Sequence, residues 1–315
     1  MRPTPAQPRT PDAPLALCLA GALLLVAVGC RRDGGAGSGA IVGEPAGGPY
    51  RATLVLEPSR PRPGAETTVT IRIEDTRTSR PVSDLQVVHE RILHSFVISR
   101  DLGHFAHSHH EDFAPLRPQD VATAAFHYPH VFPAAGAYRI VAEFTHRNRT
   151  WVKRFDFAVG EAGAGEPSGL VPRREATTGG YRFRLSVDPD PPVAGRRTEL
   201  LYRIETAAGE PVTDLAMLLG AEAHLVTWRS DGEHYGHEHP WTPEMAAMVQ
   251  AMGDGAGPEA MAAMMAMAGS GKQQYSGPEV PLRHIFPEPG LYKLFVDSAP
   301  GGRRTVIDFV LRVEP

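Results

Sequence analysis

Five side chains able to bind a metal ion recur in this chain with identical spacing. The first set is His94, Asp101, His104, His107 and His109; the second is His224, Asp231, His234, His237 and His239, each 130 positions after its counterpart. Both fit H-x6-D-x2-H-x2-H-x-H. A single H-x-H pair says little, because solvated loop histidines are common. A doubled set inside two diverged stretches, HSFVISRDLGHFAHSH and HLVTWRSDGEHYGHEH, points to a shared role. In extended backbone, residues two apart project to the same face about 6.5–7 Å from one another. Two imidazoles so placed can converge on one ion about 2.0–2.1 Å from each nitrogen.

The expected ligand sets are His94, His107, His109 and His130 in one site and His224, His237, His239 and His284 in another, with one ion per domain. Asp101 and Asp231 would ligate, orient an imidazole from behind, or bond to backbone N–H groups of the loops they open. His104 and His234 rank as second choices, since a three-residue step to the next histidine suits a helical face better than a strand. His89, His110, His127 and His146 have no counterpart in the second copy and read as surface or packing residues. The competing reading of the whole set is a hydrogen-bonded loop brace.

The only cysteines are Cys18 and Cys30. Imidazole-rich sites without thiolate suit copper, zinc or nickel, and Cu(II) has the highest intrinsic affinity. Copper is therefore the expected ion, with zinc and nickel as alternatives. Seven of the nine methionines fall between residues 242 and 274. Two short helices are expected there, with Met245, Met248 and Met252 on one face and Met261, Met264 and Met265 on another. Such faces would pack on the domain or offer thioethers to Cu(I).

The elements that must position these residues read as β-strands. Tyr50–Leu56, Thr67–Ile73, Trp151–Phe157, Tyr181–Val187 and Val306–Val313 alternate apolar with polar residues, punctuated by Pro and Gly. His94–Ser99 and His224–Thr227 also read as strand. PVSDL at Pro81–Leu85 matches PVTDL at Pro211–Leu215, and the corner His130–Tyr138 matches His284–Tyr292 at an offset of 154. The repeat is thus a whole domain, and the fold class is all-β: two tandem immunoglobulin-like β-sandwiches, the second with a Met-rich helical insertion. The expected boundaries are 1–29 signal peptide, 30–49 tether, 50–160 first domain, 161–180 linker and 181–315 second domain, with the insertion at 242–274.

Arg2 and Arg9, the apolar run Leu15–Gly29 and the tetrapeptide Ala27-Val28-Gly29-Cys30 resemble a bacterial lipoprotein signal, in which the Cys is lipidated. Anchoring to the cell envelope through Cys30 is expected. Arg31 stands where Asp would favour inner-membrane retention, so the outer membrane is expected in a Gram-negative host. A net charge of −4 without a Lys/Arg cluster argues against nucleic-acid binding.

The PVxDL strand, LGAEAHL at Leu219–Leu225, the D-x5-H-x-H loop and the FPxxGxY corner together resemble exported bacterial immunoglobulin-like modules. These are grouped with YtkA-like domains and are similar in fold to CopC-type copper carriers. The resemblance spans Tyr50–Val159 and Tyr181–Val313 and implies copper handling in the periplasm. CopC-type carriers use a free N-terminal His as ligand, whereas a lipidated Cys30 would head this chain, so their ligand set does not carry over.

No G-x-S-x-G elbow occurs, and Gly269-Ser-Gly-Lys272 fails as a phosphate loop because Gln273 follows it. The function expected is therefore a non-catalytic, membrane-anchored metal-binding lipoprotein that exchanges metal with a transfer partner. The alternative is an interaction or scaffold module.

Overall fold

The computed structural model describes residues 40–161, 170–243, 245, 247 and 272–315. The first half carries β1 (Ala40–Val42), β2 (Tyr50–Glu57), β3 (Glu66–Asp75), β4 (Leu93–Ser99), β5 (Phe105–Ser108), β6 (Ala125–Val131), β7 (Gly136–His146) and β8 (Arg149–Val159). One sheet runs β1-β2-β3-β6 and faces a second, β5-β4-β7-β8. The second half carries β9 (Glu175–Thr178), β10 (Tyr181–Asp188), β11 (Arg197–Thr206), β12 (Leu215–Ala216), β13 (Ala223–Arg229), β14 (Tyr235–Glu238), β15 (Glu279–Ile285), β16 (Gly290–Pro300) and β17 (Thr305–Val313). Its sheets are β9-β10-β11-β15 and β14-β13-β16-β12, with β17 also on β16. All pairings between these strands are antiparallel. The chain is two immunoglobulin-like sandwiches in tandem.

Alternation explains the outer sheets. In β2 the residues of YRATLVLE are in turn buried and exposed or half-buried, so one face joins the core and the other meets water. Leu54, Ile71, Phe126, Ile140 and Phe155 fill the first core; Phe183, Tyr202, Leu225, Leu294 and Phe309 fill the second. Two strands lie beyond the boundaries drawn from the sequence: β1 falls in the expected tether and β9 in the expected linker. Both are short, three and four residues (AIV and EATT), so alternation alone does not reveal them. The signal segment and Cys30 lie outside the described residues, as does most of the Met-rich insertion. Of the insertion, Pro243, Met245 and Ala247 are helical, and Met245 is buried with its N–H donated to Thr242 Oγ1. No helix among the described residues is long and apolar enough to cross a membrane.

The central strands β4 and β13 break the alternation. Every residue of β4 is buried, and all of β13 except its last. A strand buried on both faces must be covered twice. One cover is its own sandwich core; the other is the neighbouring domain. Phe96, Ile98, Leu102 and Val141 of the first domain form a third apolar cluster with Val226, Trp228 and Phe295 of the second. Each such side chain contributes about 1.5–3 kcal/mol on burial, far above the ~0–1 kcal/mol of a surface ion pair. The two sandwiches therefore dock as one body.

The docking is approximately two-fold. Arg139 donates to the Gly232 carbonyl, and its counterpart Lys293 donates to the Leu102 carbonyl, itself the counterpart of Gly232. At the interface edge Gly220 has φ +84°, and a Cβ there would lie 2.7 Å from the His89 carbonyl oxygen. Gly220→Ala thus combines a left-handed backbone penalty of about 1–2 kcal/mol with a clash against immovable backbone. The expected result is a melting temperature lowered by at least several degrees, measured by calorimetry. An unchanged value would mean that the two turns do not meet.

Candidate metal centre

The hairpins β4–β5 and β13–β14 each hold one histidine on the central strand and the first of an H-x-H pair on the edge strand, the second lying just past its end. Because both hairpins line the docking face, six imidazoles meet: His94, His107 and His109 with His224, His237 and His239. Ring centroids are 5.5 Å apart for His94–His237 and 4.9 Å for the two-fold related pair His107–His224. Two sets of three place their ligand nitrogens within 4.8 Å of one another: His94, His107 and His237 across the interface, and His224, His237 and His239 within the second domain. His237 belongs to both.

Hydrogen bonds fix which nitrogen faces inward. His94 Nε2 donates to the Val88 carbonyl at 3.2 Å, and His224 Nε2 donates to the equivalent Leu218 carbonyl at 2.8 Å. His109 Nδ1 donates to Asp112 at 2.9 Å and His237 Nδ1 to Glu143 at 3.1 Å. Carbonyls and carboxylates only accept, so each of these four rings carries its proton outward. A neutral imidazole then presents a lone pair at its other nitrogen.

The inward nitrogens of His94 and His109 consequently face one another as acceptors. His94 Nδ1 lies 3.0 Å from His109 Nε2 and 3.4 Å from His107 Nε2. His224 Nδ1, His237 Nε2 and His239 Nε2 are buried with no hydrogen-bond partner. Leaving a buried acceptor unpaired costs about 1–3 kcal/mol, and opposed lone pairs repel. A cation between them removes both costs. A proton is a poor candidate, because desolvation, reinforced by the neighbouring imidazoles, holds His94, His107, His224 and His239 well below their ordinary pKa. Two nitrogens about 2.0–2.1 Å from one tetrahedral ion stand about 3.3–3.4 Å apart, close to the His94–His107 spacing. Donation of the far N–H to a carboxylate or carbonyl is also the usual way a metal-ligating imidazole is oriented.

The carboxylates are exchanged between domains. Glu143 on β7 bonds to His237 of the second domain, and its counterpart Asp297 on β16 lies 3.9 Å from His107 Nδ1 of the first. Burial pushes the Asp297 pKa up, while the Arg304 guanidinium opposes that shift and also donates to the His107 carbonyl.

Other expected ligands lie elsewhere. His130 on β6 and His284 on β15 belong to the opposite sheets and do not join the cluster. His130 Nε2 is 3.4 Å from His104 Nε2, whereas His284 bonds to Glu238 and to Thr227 Oγ1. His234 pairs with Glu288. Asp101 accepts from Ser99 Oγ and the Gly103 N–H, and Asp231 accepts from Arg229 and the Glu233 N–H. Both aspartates brace loops. His89, read from the sequence as peripheral, stacks on His239 at 3.6 Å and is buried, with its pKa lowered to about 4 by desolvation and then by His237. It occupies a left-handed turn position, φ 47°, where Leu219 stands in the second copy. Position-by-position matching could not find it.

A family model described as "Domain of unknown function (DUF8832)" matches residues 46–161 and 176–315. The chain belongs to this family. No curated protein matches it. Among solved structures it is similar to the Escherichia coli adhesin FdeC, at 15% identity over 84% of this chain and 64% of that one, with a TM-score of 0.24. A trypsin-activated alpha-2-macroglobulin from Escherichia coli matches at 13% identity over 81% of this chain and 15% of that one, TM-score 0.23. Invasin, a bacterial integrin-binding protein, matches at 10% identity over 84% and 39%, TM-score 0.20. The chain thus spans less than two thirds of each of these structures. In this DUF8832 member the shared histidine cluster is the most concentrated set of ligand-type side chains among the described residues.

Proposed function

We propose that this chain is a non-catalytic metal-binding protein of the bacterial cell envelope, whose site is shared by its two domains. The observation that carries the reading is the set of buried imidazole nitrogens turned toward one another, four of the six rings being backed by an outward N–H bond. Copper is the expected ion, because the ligands are imidazoles without thiolate and copper heads the affinity order for such donors. Anchoring through a lipid on Cys30 and exchange of metal with a protein partner complete the proposal. Both rest on the sequence reading.

The rival is a scaffold in which the histidines only brace the docked domains. It draws on the same outward hydrogen bonds, notably His109 to Asp112 and His94 to the Val88 carbonyl. It leaves the unpartnered nitrogens of His224, His237 and His239 without a purpose.

Elemental analysis of protein purified without an affinity tag, followed by titration with Cu(II), Zn(II) and Ni(II), separates the two. Tight, saturable binding is expected, and absence of binding for all three ions would leave the scaffold. Glu143→Gln should keep the fold and weaken metal affinity about 10–100-fold, the usual cost of losing the partner that orients a ligating imidazole. Unchanged affinity in that variant, measured by chelator competition, would remove Glu143 from the site.

A further inference from the structure

We propose a second metal-binding position, present in the first domain only, formed by His104 Nε2 and His130 Nε2. Their 3.4 Å separation matches the ~3.3–3.4 Å expected between two nitrogens on one tetrahedral ion. The pair belongs to no part of the interface cluster. His104 ends the β4–β5 loop and His130 comes from β6 in the opposite sheet, so the position bridges the two sheets of one sandwich.

The second domain explains why the pair forms. Its equivalent residues, His234 and His284, are each drawn away by a neighbour. Glu288 holds His234, while Glu238 and Thr227 hold His284. At the corresponding places the first domain has Ala134, Ser108 and Val97. No carboxylate competes there, and the two rings turn to each other. Gly236 marks the same difference: a Cβ on it would lie 2.4 Å from His284 Cε1, so that ring is packed into its place.

The surroundings suit an exchangeable ion. His104 is half-buried beside a cleft lined by Ser99, Asp101, Pro133 and Tyr138. Asp101 sets a negative charge near the pair while its Oδ1 stays engaged with Ser99 and Gly103. Two protein ligands leave two coordination positions for water or a small anion. Affinity is therefore lower here than in the buried cluster, and ion exchange faster. Copper and zinc, both at ease with imidazole, are the ions it would take.

The test is Cu(II) titration of the tag-free full chain, read by the number bound and by electron paramagnetic resonance. His104→Ala and His130→Gln should each bind one ion fewer than wild type, without change at the tightest site. His234→Ala should bind the wild-type number. In a His237→Ala background, where the interface cluster is broken, one ion should remain and should vanish when His104→Ala is added. That outcome holds whether or not the interface cluster binds metal, so the two proposals fail separately. Equal stoichiometry in wild type, His104→Ala and His130→Gln, with circular dichroism showing each folded, would overturn the second position.

Discussion

His237→Ala is expected to abolish tight metal binding, the largest effect of any single substitution in the cluster. Both three-imidazole sets contain His237, so its loss leaves neither complete. Affinity should fall by well over the 10–100-fold that removing an orienting partner costs. The same change separates stability from binding. At a metal concentration 100 times Kd, an ion that binds only the folded state adds about 2.7 kcal/mol, which for a chain of this size raises the melting temperature by roughly 5–10 °C. Wild type should show that rise and His237→Ala should not. A full thermal shift in the variant would mean that the ion sits elsewhere.

Acid should open the metal-free protein steeply. Desolvation, then the neighbouring imidazoles, holds His94, His107, His224 and His239 well below the ordinary histidine pKa. They stay neutral in the folded state, whereas the unfolded chain takes up protons near pH 6.5. The unfolded state therefore binds more protons below that pH, and stability falls as pH falls. Each histidine costs roughly 1 kcal/mol between pH 6.5 and 5.5, so four cost about 4 kcal/mol, a large part of the 5–15 kcal/mol that typically separates folded from unfolded. The loss continues until pH reaches the depressed folded values. Denaturant titrations at pH 7.5, 6.5 and 5.5 check it, and a midpoint independent of pH would show that the rings are not buried as neutral groups. Saturating metal at pH 6.5 and above should raise stability, and that gain should shrink as protons compete for the same lone pairs.

The sequence spacing carried much of this arrangement. Alternation located the outer strands, and the H-x-H pairs fall at the ends of β5 and β14 beside the central-strand histidines His94 and His224. The convergence of the two sets was not legible in the same way. A repeat shows that two faces are alike, not that they meet. The available signal lay in β4 and β13, whose near-continuous burial demands a second cover, and in Glu143 and Asp297, acids at matched positions facing the other domain's imidazoles. His130 and His284 misled because the FPxxGxY corner is conspicuous in sequence, yet the histidine that opens it lies on β6 or β15, in the sheet opposite the cluster. His89 was missed because its role depends on a left-handed turn pressed against Gly220, which no spacing rule encodes.

The most direct test of a site shared by both domains is an anomalous-difference map from crystals of the copper-loaded protein. Copper is expected within about 2.0–2.1 Å of His237 Nε2, with at least one of His94 and His107 from the first domain bound to the same ion. Copper found only on exposed histidines, with the six interface rings holding their hydrogen bonds around an empty centre, would contradict it.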